Sequence, residues 1–277
     1  MKMRFGWALA SAMLVGSFGS AYAADMALKA PLMAPAPIWT WTGFYIGGNI
    51  GYGFGRTATD ATANLAGIPP IVAIDTRPMD GIVGGGQIGW NLQVSSWVIG
   101  VESDFQGAGQ HLATTINTPF FAVVGPFVGV GNQIQSRDER LDWFGTVRGR
   151  IGYAAENVLF YGTGGLAYGH LSYSGSDSFP FTIVGLGLSA APTGSFNAGT
   201  NKLGWTVGGG VEGAIMRSNW TWKVEYLHMD LGRTNYAFVA TGLGAAAVPV
   251  TGNARFTDDI VRVGLNYRLN GPVVARF

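Results

Sequence analysis

The chain has 277 residues and no cysteine, and its three histidines (His111, His170, His228) are far apart. This excludes a disulfide framework, a thiolate nucleophile and a cysteine-based metal site, and argues against a histidine metal cluster. The 17 basic and 16 acidic residues nearly cancel, to a formal net charge of +1, so nothing in the balance points to a nucleic-acid partner. Glycine, at 44 residues, is the outlier.

At the N-terminus, Lys2 and Arg4 precede an apolar run from Phe5 to about Phe18, and Ala21-Tyr22-Ala23 closes it with a small-x-small motif. This pattern predicts a secretory signal peptide over 1–23, cleaved between Ala23 and Ala24. Residues 24–42 are rich in alanine and proline and predict an irregular periplasmic leader.

Eight alternating segments follow, at roughly 43–55, 80–93, 96–107, 139–154, 157–172, 202–215, 219–232 and 257–269. The last shows the pattern most clearly. Val261, Val263, Leu265, Tyr267 and Leu269 share one face, and Arg262, Gly264, Asn266 and Arg268 the other. A strand turns successive side chains to opposite faces, so each segment has an apolar wall and a wet one. The apolar walls (Phe44, Ile46, Ile50; Trp97, Ile99, Val101; Trp220, Trp222, Val224, for example) are rich in Trp and Tyr near their ends, as expected of aromatic girdles at two membrane interfaces. Segment 157–172 is aromatic on both faces, and its orientation stays open. Connections near 94–95, 155–156 and 216–218 are short, whereas those near 56–79, 108–138, 173–201 and 233–256 are long. Short periplasmic turns and long external loops complete the expectation: an eight-stranded antiparallel transmembrane β-barrel over 43–277, one domain, in a bacterial outer membrane.

The opposite faces carry Glu102, Asp104, Arg148, Arg150, Glu212, Lys223, Glu225, Arg262 and Arg268, five basic groups against four acidic, with Asn49, Gln87 and Asn91. Side chains fill the inside of a barrel this narrow. Buried charges are costly unless paired, so these nine predict a charge network across the lumen. Glycine pairs and triplets (Gly47-Gly48, Gly84-Gly85-Gly86, Gly208-Gly209-Gly210) sit inside the strands, where they suit tight curvature and close backbone approach. No Gly-Lys-Ser/Thr closes a phosphate loop.

Candidates for chemistry are sparse. His170 and Ser172 share a face near the outer end of a strand, but spacing singles out no orienting acid, and chance placement is the better reading. His228 beside Asp230 reads as an interfacial residue. No catalytic, cofactor or metal residues are assigned. The long connections each carry an apolar, proline-bearing run: Gly67–Ile74, Pro119–Val130, Phe179–Ala191 and Leu243–Val250. These predict either loops that pack as a cap or meet a partner such as lipopolysaccharide or a host surface, or strands extending beyond the membrane.

Several runs resemble a known family. The stretch from Trp41 to Gly53 (WTGFYIGGNIGYG) is similar to the first strand of the alphaproteobacterial outer-membrane immunogenic proteins, small porin-like barrels of the OmpA-like superfamily. The Ala21–Asp25 junction, Leu159–Gly169 and Val261–Arg268 match as well. The resemblance implies an abundant structural component and surface antigen without catalytic residues, held in outer-membrane lipid beside lipopolysaccharide. It also implies a C-terminal aromatic signal read by the barrel-assembly machinery. Gly264, Tyr267 and Leu269 resemble that signal, yet the chain runs on through Pro272 to Phe277. The expected role is structural: envelope integrity and loop presentation. A narrow diffusion channel is the alternative, and a lipid A-modifying enzyme a third possibility.

Overall fold

The computed structural model describes residues 39–64, 70–124, 126–215, 218–243 and 246–269. The expected signal peptide with Ala23 and Ala24, most of the leader, and the tail with Phe277 lie outside the described residues.

Ten strands form among the described residues, the eight of the expected barrel and two short additions: β1 (Gly43–Ala63), β2 (Ile71–Val94), β3 (Trp97–Val124), β4 (Phe127–Ala155), β5 (Val158–Ser178), β6 (Phe181–Val184), β7 (Leu188–Ala190), β8 (Thr193–Ala214), β9 (Trp220–Leu243) and β10 (Ala246–Arg268). Eight of them pair antiparallel in a closed ring, β1-β2-β3-β4-β5-β8-β9-β10, sealed where β1 meets β10 from Tyr45–Arg268 to Ala63–Val250. The other two make a small hairpin on the outer part of β4, β6 pairing with Phe127's neighbours Val128–Gly131. Closure leaves no strand edge in the hydrocarbon, which is how a sheet satisfies its backbone there.

Of the two readings of the long connections, the structure takes that of strands extending beyond the membrane. β4 runs for 29 residues and β3 for 28, while roughly 9–11 residues cross a bilayer. The strands continue outward, and the stretches taken as loops are mostly ladder. The β3–β4 pair, for instance, continues to Val124–Phe127. Thr, Val, Ile and Phe recur in several of these stretches, as in 112–124, and such residues suit an extended backbone.

Above the membrane the ring divides. β2 pairs with β3 only up to Val83–Ala108, although both strands continue. β8 and β9 separate between Trp205–Asp230 and a single pair at Thr193–Thr241. Two four-stranded sheets result, β9-β10-β1-β2 and β3-β4-β5-β8, with a seam at β2/β3 and another at β8/β9.

Faces alternate as the side-chain period requires. Phe44, Ile46, Ile50, Ile99, Val147, Ile151, Val224 and Val263 are exposed on the outer wall. β5 orients with Phe160 and Leu166 outward and Leu159, Tyr161 and Ala167 inward. Aromatic pairs mark two girdles. Trp97–Tyr153 and Trp220–Tyr267 lie near the short turns, with ring centroids 5.9 and 5.1 Å apart, and Tyr52–Phe54 and Phe105–Trp143 lie at the other margin at 5.0 and 5.4 Å. The two-residue turns at Ser95-Ser96 and Glu156-Asn157 place Ser95 and Glu156 at φ 56° and 53°, the left-handed geometry that matches strand twist in tight hairpins.

Glycines inside the ring have a steric cause. A Cβ on Gly51 would meet Arg262 Cβ at 2.6 Å and its Cα at 2.8 Å, whereas one on outward Gly48 would find nothing closer than 3.7 Å. Gly51→Ala should therefore destabilise the barrel by about 1–3 kcal/mol through backbone displacement. Gly48→Ala should be neutral. The shift of the folded band to the unfolded mobility on heating in detergent measures both.

Candidate functional site

The interior is built in layers that can be followed along any strand. At the end with the short turns, Trp39 and Trp41, just before β1, fold into the mouth. Trp41 is buried against Val98, Ala154, Leu159 and Tyr161. Its backbone N–H donates to Gln93 Oε1 (2.8 Å), and Gln93 N–H donates to Thr42 Oγ1 (2.9 Å). Arg268 joins this lid, donating to the Thr42 carbonyl (3.1 Å) with its guanidinium 4.4 Å from the Trp39 ring centroid.

Above the lid lies an ionic layer. Its eight charges come from five strands: Glu102 and Asp104 on β3, Arg148 and Arg150 on β4, Glu212 on β8, Lys223 and Glu225 on β9, Arg262 on β10. All are buried. Arg148 donates to Glu225 Oε1 (3.0 Å), to Asp104 Oδ2 (2.9 Å) and to Glu102 Oε1. Arg262 reaches Glu225 Oε2 (2.6 Å) and Asp104 Oδ2 (2.9 Å). Lys223 Nζ donates to both Glu102 oxygens (3.0 and 3.2 Å). Arg150 donates to Glu212 Oε2 (2.8 Å) and to the Tyr45 hydroxyl (2.9 Å), and lies 4.1 Å over the Tyr161 ring. Four cations face four carboxylates, so the layer is neutral.

Neutral groups complete the web. The Tyr45 hydroxyl donates to Glu102 Oε2 (2.7 Å) and that of Tyr161 to Glu225 Oε1 (3.0 Å). Thr146 donates to Asp104 (2.9 Å). Asn266 donates to Glu212 (3.0 Å) and accepts from Gln87, which accepts from Asn49. Satisfying most of the remaining polar atoms in this way, with Asp104 Oδ1, Arg150 Nε and Arg262 Nη1 left over, lowers the cost of burying the ions.

Eight of the nine charges singled out in the sequence thus meet in one layer. Arg268 makes no ion pair with them and belongs to the lid, a correction with a simple cause: it is the last ladder residue of β10, level with the mouth. Sequence reasoning missed Tyr45 and Tyr161 as members of the web. Tyr45 has the same parity as Asn49 along β1, and that signal could have found it.

Beyond the ions comes a largely apolar plug of Met79, Val83, Leu141, Phe144, Leu171, Leu227, Met229, Phe256 and Ile260, with one buried polar pair, Gln110 donating to Asp258 Oδ2 (2.9 Å), among them. Outside the membrane a second polar layer follows. Arg137 donates to both Asp177 oxygens (3.3 and 3.0 Å), with Glu139 nearby on β4. Burial pushes the carboxyls of Asp177 and Glu139 up, outweighing Arg137, and pushes the Tyr173 phenol up to about 12. Ala63, Phe179 and Val250, with Phe120 and Phe238, close the far end.

The three histidines lie on the outer surface, each against an aspartate. His228 Nδ1 is 2.8 Å from Asp259, His111 Nε2 is 3.2 Å from Asp138, and His170 Nε2 is 4.0 Å from Asp142. Ser172 donates to Asp142 Oδ2 at 2.6 Å, and His170 Nδ1 contacts Asn201 Oδ1 at 2.8 Å. The acid engages the serine directly, so the three side chains are not in the relay order serine–histidine–acid of a hydrolase. Of the proposed assembly residues, Gly264 faces inward, Tyr267 packs on Trp220, and the Leu269 N–H donates to the Phe44 carbonyl (2.9 Å).

A closed, girdled ring with ions inside and an apolar wall outside defines a transmembrane β-barrel. The family of outer membrane protein beta-barrel domains matches residues 11–271, and the chain belongs to it, as a protein of the bacterial outer membrane. The chain is similar to the 31 kDa outer-membrane immunogenic protein of Brucella melitensis biotype 1, 36% identical over 90% of this chain and 93% of that one. It is 30% identical to the 22 kDa outer membrane protein of Rhizobium leguminosarum bv. viciae over 72% of this chain and 69% of that one. Among solved structures, Ail, the attachment invasion locus protein of Yersinia pestis, is similar at 12% identity and a TM-score of 0.30, covering 80% of this chain and 99% of that one.

Arg148 is bonded to three carboxylates. Arg148→Met should leave them short of a cation and cost about 3–5 kcal/mol. Urea unfolding of the refolded protein in lipid vesicles measures the loss.

Proposed function

We propose that the protein is a closed structural barrel that supports the envelope and presents its outer hairpins as an antigenic and contact surface. The observation that carries this reading is the neutral, mutually bonded ion layer held between the Trp41 lid and the apolar plug. Ions cross a membrane protein along a continuous wet path, and two largely apolar layers in series, with only the Gln110–Asp258 pair in the second, narrow such a path. The same reading takes outer-membrane lipid and lipopolysaccharide as surroundings. Exposed Arg140 and Arg255 near the outer girdle are paired with Asp138 and Asp230, so anionic head groups would have to compete with those carboxylates for them. It also assigns Tyr267 and Leu269, at the end of β10, to recognition by the barrel-assembly machinery.

Planar-bilayer recording on refolded protein tests closure. We expect no stable single-channel steps. Reproducible steps abolished by Arg148→Trp would replace the structural reading with a diffusion channel. An enzymatic role predicts acyl-chain loss from lipid A that disappears in Ser172→Ala. We expect identical lipid A profiles in mass spectra from cells carrying either form.

A further inference from the structure

The β2/β3 seam opens on a small chamber between the two outer sheets. Its volume is about 30 Å³ for the centres of water-sized guests, enough for roughly two waters or one group of similar size. Inside, Glu139 Oε2, Thr57 Oγ1 and Gln135 Nε2 are buried without a hydrogen bond of normal geometry, with Thr57 beside Glu139 and Gln135 beside Asp177. Arg137, the cation that lines this chamber from β4, is already committed to Asp177 and to the Ser136 and Ser176 carbonyls. Glu139 is 4% exposed, and among the described residues no cation lies within ion-pair distance of it. The chamber therefore carries a buried carboxylate with no ion-pair partner, eased only in part by Arg137, which a protein keeps at a loss of stability.

The chemistry of a guest follows from this donor set. A divalent metal ion asks for six or more oxygens, and the chamber offers about half that number. A primary ammonium asks for three acceptors: the Glu139 carboxylate, the Thr57 hydroxyl, and the Gln135 amide oxygen after a half-turn of that amide. Leu112 and Ile116 line the same chamber on β3, and Asp75 stands at the seam, paired with Arg77 at 2.6 Å. We propose that this chamber binds the terminal ammonium of a linear alkylamine, with Glu139 as counter-ion and the alkyl chain leaving along Leu112 and Ile116 through the seam. An amine with a second ammonium further along its chain competes with Arg77, which also lines the chamber, for Asp75 at the exit. The raised proton affinity of Glu139, caused by burial, agrees with a carboxylate that lacks its partner.

Calorimetric titration of the refolded full chain in detergent with spermidine tests this, with 1,4-butanediol as the uncharged probe. We expect saturable spermidine binding at one site and none by the diol. Glu139→Gln should weaken spermidine binding roughly tenfold or more, and should raise the heat-unfolding temperature by removing the buried charge. Thr57→Val should weaken binding with the fold intact. Asp60→Asn, on the exposed face of the same strand as Thr57, should change nothing. Heat-modifiable gel mobility confirms folding of each variant. No saturable heat up to ~1 mM spermidine, equal binding by Glu139→Gln, or equal binding of the diol would each overturn the proposal.

Discussion

The constraint on which the rest depends is the balance of charge inside a tube too narrow to hold bulk water. An eight-stranded ring leaves room for side chains and little else, so an ion pointing inward is costly unless a counter-ion meets it. Arg148 on β4 holds carboxylates from β3 and β9, and Arg262 on β10 holds carboxylates from the same two strands. Two of these bonds, Arg148–Glu225 and Arg262–Asp104, cross the lumen, whereas the other two join neighbouring strands. The register of strands far apart in the sequence is thereby fixed by ion geometry as well as by backbone pairing. A slip of one residue would turn each ion into the lipid.

The same solution recurs outside the membrane in weaker form. Arg137 and Asp177 repeat the ion pairing between β4 and β5, and Phe179 with Val250 repeats the apolar closure. What changes is the sheet. Water can satisfy an open edge, so above the girdle the ring has no need to stay whole, and it separates at β2/β3. In the hydrocarbon such a seam would strand a row of N–H and C=O groups. The seam and the unpartnered Glu139 behind it sit in the part of the molecule where the solvent permits both.

Much of the membrane portion was legible in the sequence because two walls of opposite polarity leave a strong period of two. Val261, Val263 and Leu265 against Arg262, Asn266 and Arg268 could be assigned to faces without any knowledge of partners. The outer portion was not legible, because Pro, Gly and uncharged Thr-rich stretches such as 112–118 read equally as loop or ladder. Only long-range pairing decides between the two. The ion layer could be read as a set but not as a circuit. Alternation says that Glu102 and Arg148 face inward, while their meeting with Glu225 depends on strand tilt. The short hairpin β6–β7 and the inward fold of Trp41 carry no periodic signal at all.

Closure between β1 and β10 has a consequence for biogenesis. The first strand to emerge during synthesis finds its second neighbour only in the last, so a nascent chain of any shorter length exposes two raw borders. Insertion of a partial cylinder into lipid would leave those borders unsolvated on both sides. The polypeptide must therefore travel to its membrane unstructured and complete its wall in one cooperative event, with the final strand acting as the clasp.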